Sequence, residues 1–283
     1  RNMRNEFNLI DKAFSHDTSS VAGREAKLIS WRRDDLDSKL PIFVSDSSLL
    51  QVTPGLQLFE SRYAWTIESR SVRANPFSWL ERHFQEFDSV FTHDEKLLNE
   101  LPNAKFSPGG GVWIGGVHAG GNLGLHEKSK LISMVTSRKI QTPLHRRRLA
   151  IAHYLRLDPG KKVDTWINAP YVASWAALES YMFNVTVENN QSETYFTEKL
   201  LNCFATGTVP IYFGATNLSP WFDMRGVIPF RSLSDLRNIV NSVNEETYSN
   251  LLPYVAENFK RVQDFLTIED YLATNYFDEE VAS

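Results

Sequence analysis

The chain has 283 residues, with 30 Lys and Arg against 34 Asp and Glu for a net charge of −4, and it is 42% hydrophobic and 23% charged. That length suits one large domain or two smaller ones, and the composition excludes a collagen, a coiled coil and a disordered tail. The weak acidity argues against a general positive field, so neither nucleic acid nor a membrane surface is an expected partner.

In the first half, residues 27–31, 41–44, 64–67 and 89–92 are short β-like runs. Between them, residues 76–87 predict a helix, with Trp79, Leu80, His83 and Phe84 on one face. Residues 93–101 predict another, with Asp94 and Glu95 near its positive end. A glycine-dense stretch from Gly109 to Gly124 then holds eight of the fourteen glycines. It has neither of the phosphate-cradling spacings, G-x-x-x-x-G-K or G-x-G-x-x-G, and reads as an interdomain crossover, with a ligand-covering loop as the alternative.

The second half predicts strands over 130–136, 163–166, 181–187 and 209–213, and helices over 144–155, 197–205, 233–243 and 248–265. Strands alternating with helices predict an α/β fold with mostly parallel sheets. The domain boundary is placed at 125/126, giving domains 1–125 and 126–283, with the terminal helix free to cross back.

The densest polar segment is ENNQSETYFTEK, residues 188–199, between a strand and a helix. In open α/β sheets ligands collect beyond the carboxyl ends of the strands. Thr197 is a good helix cap, and the unpaired N–H groups that follow suit an anion, to which Lys199 adds a positive charge. Asn189, Tyr195, Glu198 and Lys199 together supply the amide, aromatic, carboxylate and ammonium groups that a nucleotide requires. A solvated Glu198–Lys199 ion pair in a first helical turn is the plainer alternative.

From Phe183 to Gly214 this segment resembles, without a gap, the donor-binding signature of the α1,3/4-fucosyltransferases of glycosyltransferase family 10: F-E-N-S, then Y-x-T-E-K, a helix and G-T-V-P-V-x-x-G. Upstream, KLISMVTS followed by Arg148, Ile151 and Leu155 resembles the family's strand and arginine-led helix. The resemblance implies a GT-B-like fold, two Rossmann-like domains facing a central cleft, with the acceptor on the N-terminal side and the nucleotide-sugar donor on the C-terminal side. It implies an inverting, metal-independent transferase with no cofactor, moving fucose from GDP-fucose onto a hydroxyl of an acceptor glycan.

Carried over residue by residue, Arg148 and Lys199 hold the diphosphate, Glu198 the ribose, and Asn189 and Tyr195 line the donor site. Arg146 and Arg147 are alternatives to Arg148, since three consecutive arginines on a helix cannot face one ligand. Glu68, just past a strand in WTIESR, is the expected general base, with Glu60 its rival. Glu188 matches the family's acidic position or simply bonds backbone. Two departures, Asn190 in place of the family serine and VDTWINA without its final glycine, leave another GDP-sugar open.

Two other classes compete. Asp35 and Asp37 form D-x-D, the motif of metal-dependent GT-A-type transferases, and the seven tryptophans and ten tyrosines would also suit a non-catalytic glycan-binding or nucleotide-binding module. His118, His126, His145 and His153 lack metal-ligand spacing. Asn184, Asn190 and Asn217 each open N-x-S/T and are read as incidental matches.

The single cysteine, Cys203, cannot close an intrachain disulfide. This favours a reducing compartment, so a cytoplasmic location is the expectation. No window reaches the eighteen or so apolar residues of a membrane span. The chain opens on Arg1, and an upstream anchor stays open.

Overall fold

The computed structural model describes residues 4–11, 19–51, 55–158, 160, 162–168 and 173–277. The chain divides into two units, Arg1–Gly111 with Asp264–Ser283, and Val112–Gln263. The division falls inside the glycine-dense stretch, earlier than the boundary drawn from sequence, and the last residues belong with the first unit.

The first unit holds six strands: β1 (Asn5–Ile10), β2 (Ile29–Arg32), β3 (Ile42–Ser45), β4 (Arg62–Trp65), β5 (Ser89–Thr92) and β6 (Ala104–Phe106). They pair in parallel in the order β2-β1-β3-β4-β5-β6. Every residue of β3 and β5 is buried, as expected of strands covered on both faces. Helices α1 (Ala74–His83) and α2 (Glu95–Glu100) cover one face, where Phe77, Leu80 and Leu97 pack on Ile42, Val44 and Val90. The sequence places α1 two residues late and joins its end to a separate 3-10 turn, Phe84–Glu86.

The second unit contains β7 (Lys130–Thr136), α3 (Pro143–Leu157), β8 (Val163–Ile167), α4 (Ala173–Ala176), β9 (Tyr181–Val187), α5 (Glu198–Thr206), β10 (Val209–Phe213), β11 (Ile228–Pro229), α6 (Leu233–Ser242) and α7 (Glu245–Arg261). Its parallel sheet runs β11-β10-β9-β7-β8. In each unit the chain leaves the first strand for the second, then returns past the first to form the third. The reversal makes β1/β3 and β7/β9 the topological switch points of two Rossmann-like sheets. Among the described residues no helix is long and apolar enough to cross a membrane.

The returning terminal segment is fixed by buried polar contacts. In α8 (Ile268–Leu272), the Glu269 carboxylate accepts Ser20 N–H (2.6 Å), Ser20 Oγ–H (2.7 Å) and Trp31 Nε1–H (3.3 Å). Phe277 then packs against Phe7, Phe43 and Tyr63, covering the aromatic face of the first sheet. Burial pushes the Glu269 carboxyl up to about 7, against the pull of its hydrogen-bond donors.

A carboxyl raised on folding binds a proton in the native state that the unfolded chain has released. Its contribution is therefore fully present below the ordinary carboxyl range and is lost as pH rises towards 7. The swing is on the order of 3 kcal/mol. Glu269→Gln removes it, so wild type loses melting temperature relative to the variant between about pH 5 and about pH 8. A constant difference in differential scanning calorimetry would rule this out.

Candidate functional site

The site assembles at the β7/β9 switch point. Beyond β7 lies Ser137, and α3 opens on Thr142, whose Oγ1 accepts His145 N–H while His145 Nδ1 accepts Thr142 N–H (3.0 and 3.2 Å). This reciprocal capping box, with Pro143 as the first helical residue, starts the helix firmly. It fixes the His145 ring: with Nδ1 accepting, Nε2 carries the proton. Burial, then the charges of Arg148, Lys199 and Lys139, hold His145 down to about 4, so it stays neutral.

The three arginines separate cleanly. Arg146 is exposed and donates to Ile140 O (3.3 Å). Arg147 lies over the Phe213 ring at 4.1 Å and donates to Arg231 O (2.9 Å). Only Arg148 turns inward, 5% exposed, with Nη1 donating to Asn189 Oδ1 (3.0 Å) and Nη2 to Ser137 Oγ (3.1 Å). Its buried Nε–H makes no hydrogen bond, and it forms no ion pair among the described residues. Desolvation lowers its affinity for the proton, and Glu188, Glu198 and Tyr195 only partly offset that. A guanidinium nonetheless remains charged, so this is a buried cation short of anionic contact.

On the other side of the switch point, β9 is followed directly by Glu188, which is wholly buried. Its carboxylate accepts Thr197 N–H (3.0 Å) and Thr197 Oγ1–H (2.8 Å), tying the end of β9 to the cap of α5. The backbone-bonding reading of Glu188 therefore holds, with a consequence: it aims the amino end of α5. Gly214, closing β10, leaves the room for this, since a Cβ there would lie 2.6 Å from Glu188 Cγ and closer still to Tyr212 Oη.

Lys199 Nζ lies 2.8 Å from Glu198 Oε1, 3.2 Å from Thr197 Oγ1 and 3.7 Å from Glu188 Oε2. Burial alone would raise the Glu198 carboxyl, but the Lys199 charge and hydrogen bonds outweigh it and hold it below the usual range. Glu188 goes the other way, raised by burial despite Lys199. Asn189 links the two sides, accepting from Arg148 and, through its carbonyl, from Thr142 Oγ1–H (3.4 Å). Tyr195 is 2% exposed; its ring is enclosed and offers no open stacking face to a base. The structure thus gathers Arg148, Asn189, Tyr195, Glu198 and Lys199 in one place and adds Ser137, Thr142, His145 and Glu188. The T-P-L-H capping box was the signal for Thr142 and His145; burial of Glu188 left no signal in the sequence.

Glu68 belongs to the first unit, past the carboxyl end of β4, and is half-buried, whereas Glu60 is exposed. The Glu68 carboxylate takes no hydrogen bond and no ion pair among the described residues. In the D-x-D triplet, Asp37 Oδ1 accepts Lys39 N–H (3.0 Å) and Asp37 N–H donates to Asn8 Oδ1 (2.8 Å), the geometry of a capped turn. Asn184 is 4% exposed and donates to Ser133 Oγ, which removes it as a glycan acceptor in the folded chain.

Residues 125–250 match the family model of glycosyltransferase family 10 (fucosyltransferase), C-terminal part. An alpha-(1,4)-fucosyltransferase of Arabidopsis thaliana is 36% identical over 73 residues, 25% of this chain and 18% of that protein. An alpha-(1,3)-fucosyltransferase of Helicobacter pylori is 30% identical over 71 residues, 25% of this chain and 14% of that protein. These matches thus span less than a fifth of the relatives' own lengths. A crystal structure of an alpha1,3-fucosyltransferase with GDP-fucose superposes with a TM-score of 0.54 over 98% of this chain and 93% of that one, at 15% identity, a likeness of fold. Residues 125–250 therefore resemble the C-terminal part of glycosyltransferase family 10 (fucosyltransferase), on a chain with a GT-B-like α/β fold.

Proposed function

We propose that the chain is an inverting glycosyltransferase that moves fucose from GDP-fucose to a hydroxyl of an acceptor glycan, without a metal. The observation that carries this reading is Arg148, a buried guanidinium at a topological switch point with an unmet Nε–H and no direct ion pair among the described residues. Such a group is stabilised when an anion reaches it, and a guanidinium fork matches phosphate oxygens. Lys199 and the N–H groups at the start of α5 supply the second cationic surface for a diphosphate. Glu198 is the proposed ribose ligand, and Asn189 and Tyr195 complete the wall of the donor site.

In the proposed reaction Glu68 takes the proton of the acceptor hydroxyl as its oxygen attacks C1 of the sugar. The C1–O bond to the β-phosphate breaks, and its electron pair leaves with GDP. Charge grows on that phosphate in the transition state, where Arg148, Lys199 and the α5 amino end act most strongly.

The test is a thermal-shift screen of GDP, UDP, CDP and dTDP with their sugars. At about 100 times its Kd a ligand adds about 2.7 kcal/mol to the folded state, a rise of roughly 5 °C or more. GDP and GDP-fucose are expected to give that rise; equal shifts from all four nucleotides, or none from GDP, would sink the reading.

A further inference from the structure

The segment that carries Glu68 is held by the two strands that flank β4, each through one buried ionisable side chain. Asp46, the first residue after β3, is 2% exposed. Its Oδ1 accepts Ile67 N–H (2.9 Å) and Glu68 N–H (3.4 Å), and its Oδ2 also lies 3.4 Å from Glu68 N. His93, the first residue after β5, is 1% exposed, and its Nε2 lies 3.1 Å from Ile67 O and 3.2 Å from Glu68 O. Both partners are carbonyls, so Nε2 carries the proton and donates. One side chain therefore grips the N–H groups and the other the C=O groups of the same two residues.

The surrounding contacts tighten the same turn. Thr66 N–H donates to Phe91 O (2.9 Å) and Thr66 Oγ1 to Thr92 Oγ1 (2.7 Å). Arg70 closes the far side, with two bonds of 2.8 Å to Asp94 and one of 2.9 Å to Glu81. Amid this, the Glu68 carboxylate alone is left without a partner among the described residues. A rigid backbone beneath an unengaged carboxylate is the arrangement a general base requires.

Two features set Asp46 apart from ordinary loop anchors. A turn can be pinned by Asn, Ser or Thr, at far less desolvation cost than a buried carboxylate. In addition, Asp46 has φ of 41°, in the left-handed region that Asp and Asn adopt more readily than other side chains but still sparsely. A buried carboxylate and a sparsely populated backbone conformation thus meet in the residue that accepts the Ile67 and Glu68 N–H groups.

We propose that Asp46 and His93 are positioning residues that hold Glu68 as the base of the transfer reaction, an inference that rests on the function proposed above. Asp46 also makes the grip sensitive to pH. Burial raises its carboxyl to about 7; the Glu68 charge adds to this, while the Ile67 and Glu68 N–H groups and Arg73 at the start of α1 pull it down. Ionised Asp46 accepts those N–H groups more strongly than the protonated acid does. Turnover should therefore rise as pH increases through 7. His93, held down to about 4 by burial, stays neutral throughout, so its donation does not change.

The experiment compares Asp46→Asn, His93→Gln, His93→Ala and Glu68→Gln by steady-state transfer from GDP-fucose over about pH 6 to 8.5. Asparagine tolerates the left-handed backbone and still accepts an N–H, so Asp46→Asn should fold. It is expected to lower kcat about tenfold at the alkaline end and to flatten the rise through neutrality, with KM for the donor unchanged. His93→Ala should lower kcat in the same way, and His93→Gln, whose amide can still donate to the two carbonyls, should restore it to within about threefold. If Asp46→Asn keeps the wild-type pH profile, or if His93→Ala and His93→Gln behave alike, the positioning role is overturned. Should Asp46→Asn fail to fold, the His93 pair alone decides. Full turnover in Glu68→Gln would instead overturn the assignment of the base, and the two failures are thus told apart.

Discussion

Replacing Arg148 with alanine should weaken GDP binding by about 30-fold or more, or about 2 kcal/mol at the lower end for truncating a buried charge that meets an anion. The size follows from the position. Arg148 has two N–H groups committed to neutral acceptors, Asn189 and Ser137, and a third buried N–H with none. Among the described residues no carboxylate pairs with it directly, and Glu188 and Glu198 act on it only at longer range, so a diphosphate gains a charge-assisted interaction without displacing an ion-pair partner. Calorimetric titration with GDP reads the loss, and unchanged affinity would refute the phosphate assignment. Lysine at this position keeps the charge but not the fork, and should fall between wild type and alanine.

Lys199 is a less clean probe of the same surface. It lies between Glu198 and the wholly buried Glu188, so its removal strands a carboxylate inside the second unit. Breaking a buried pair in this way costs stability in its own right. The contrast defines two kinds of cation at one site: Lys199 is held in place by its carboxylates, whereas Arg148 is held by the neutral acceptors Asn189 and Ser137 and has no direct ion pair among the described residues.

Legibility in the sequence followed how local each signal is. β9 and β10 are unbroken apolar runs, YMFNVTV and VPIYF, and their observed bounds coincide with those predicted. α5 is marked by Thr197 at one end and Gly207 at the other, where φ of 72° gives the left-handed cap that glycine adopts freely. β1 was not legible because its centre is polar: Asn8 is wholly buried, donating to Asp37 O and Leu40 O, and only that distant loop makes it a core residue. β6 and β11 are three and two residues long and exist through their neighbours.

The candidate site divides in the same way. Asn189 to Lys199 is one continuous motif, so its residues could be found together. The choice among Arg146, Arg147 and Arg148 depends on which face of α3 meets the segment after β9, where Asn189 receives Arg148 from forty-one positions away. In the sequence His93 opens a predicted helix and Asp46 belongs to no motif. Their burial, and their shared grip on residues 67 and 68, arises only when β3 and β5 flank β4.

Glu68→Gln should lower kcat for transfer by about 10²- to 10⁴-fold, the usual contribution of a positioned base. Glutamine keeps the size of the side chain and leaves the Asp46 and His93 bonds to the backbone intact, since these reach N–H and C=O groups and not the carboxylate. The loss should therefore appear in kcat, with GDP affinity unchanged because the donor-binding residues proposed above belong to the second unit. Steady-state kinetics with saturating donor, paired with GDP titration of the same variant, make the measurement. Normal turnover would transfer the role to another carboxylate. Glu60 would then be tested first, although its exposed position provides none of the clamped backbone that makes Glu68 suited to accept a proton along a fixed line of attack.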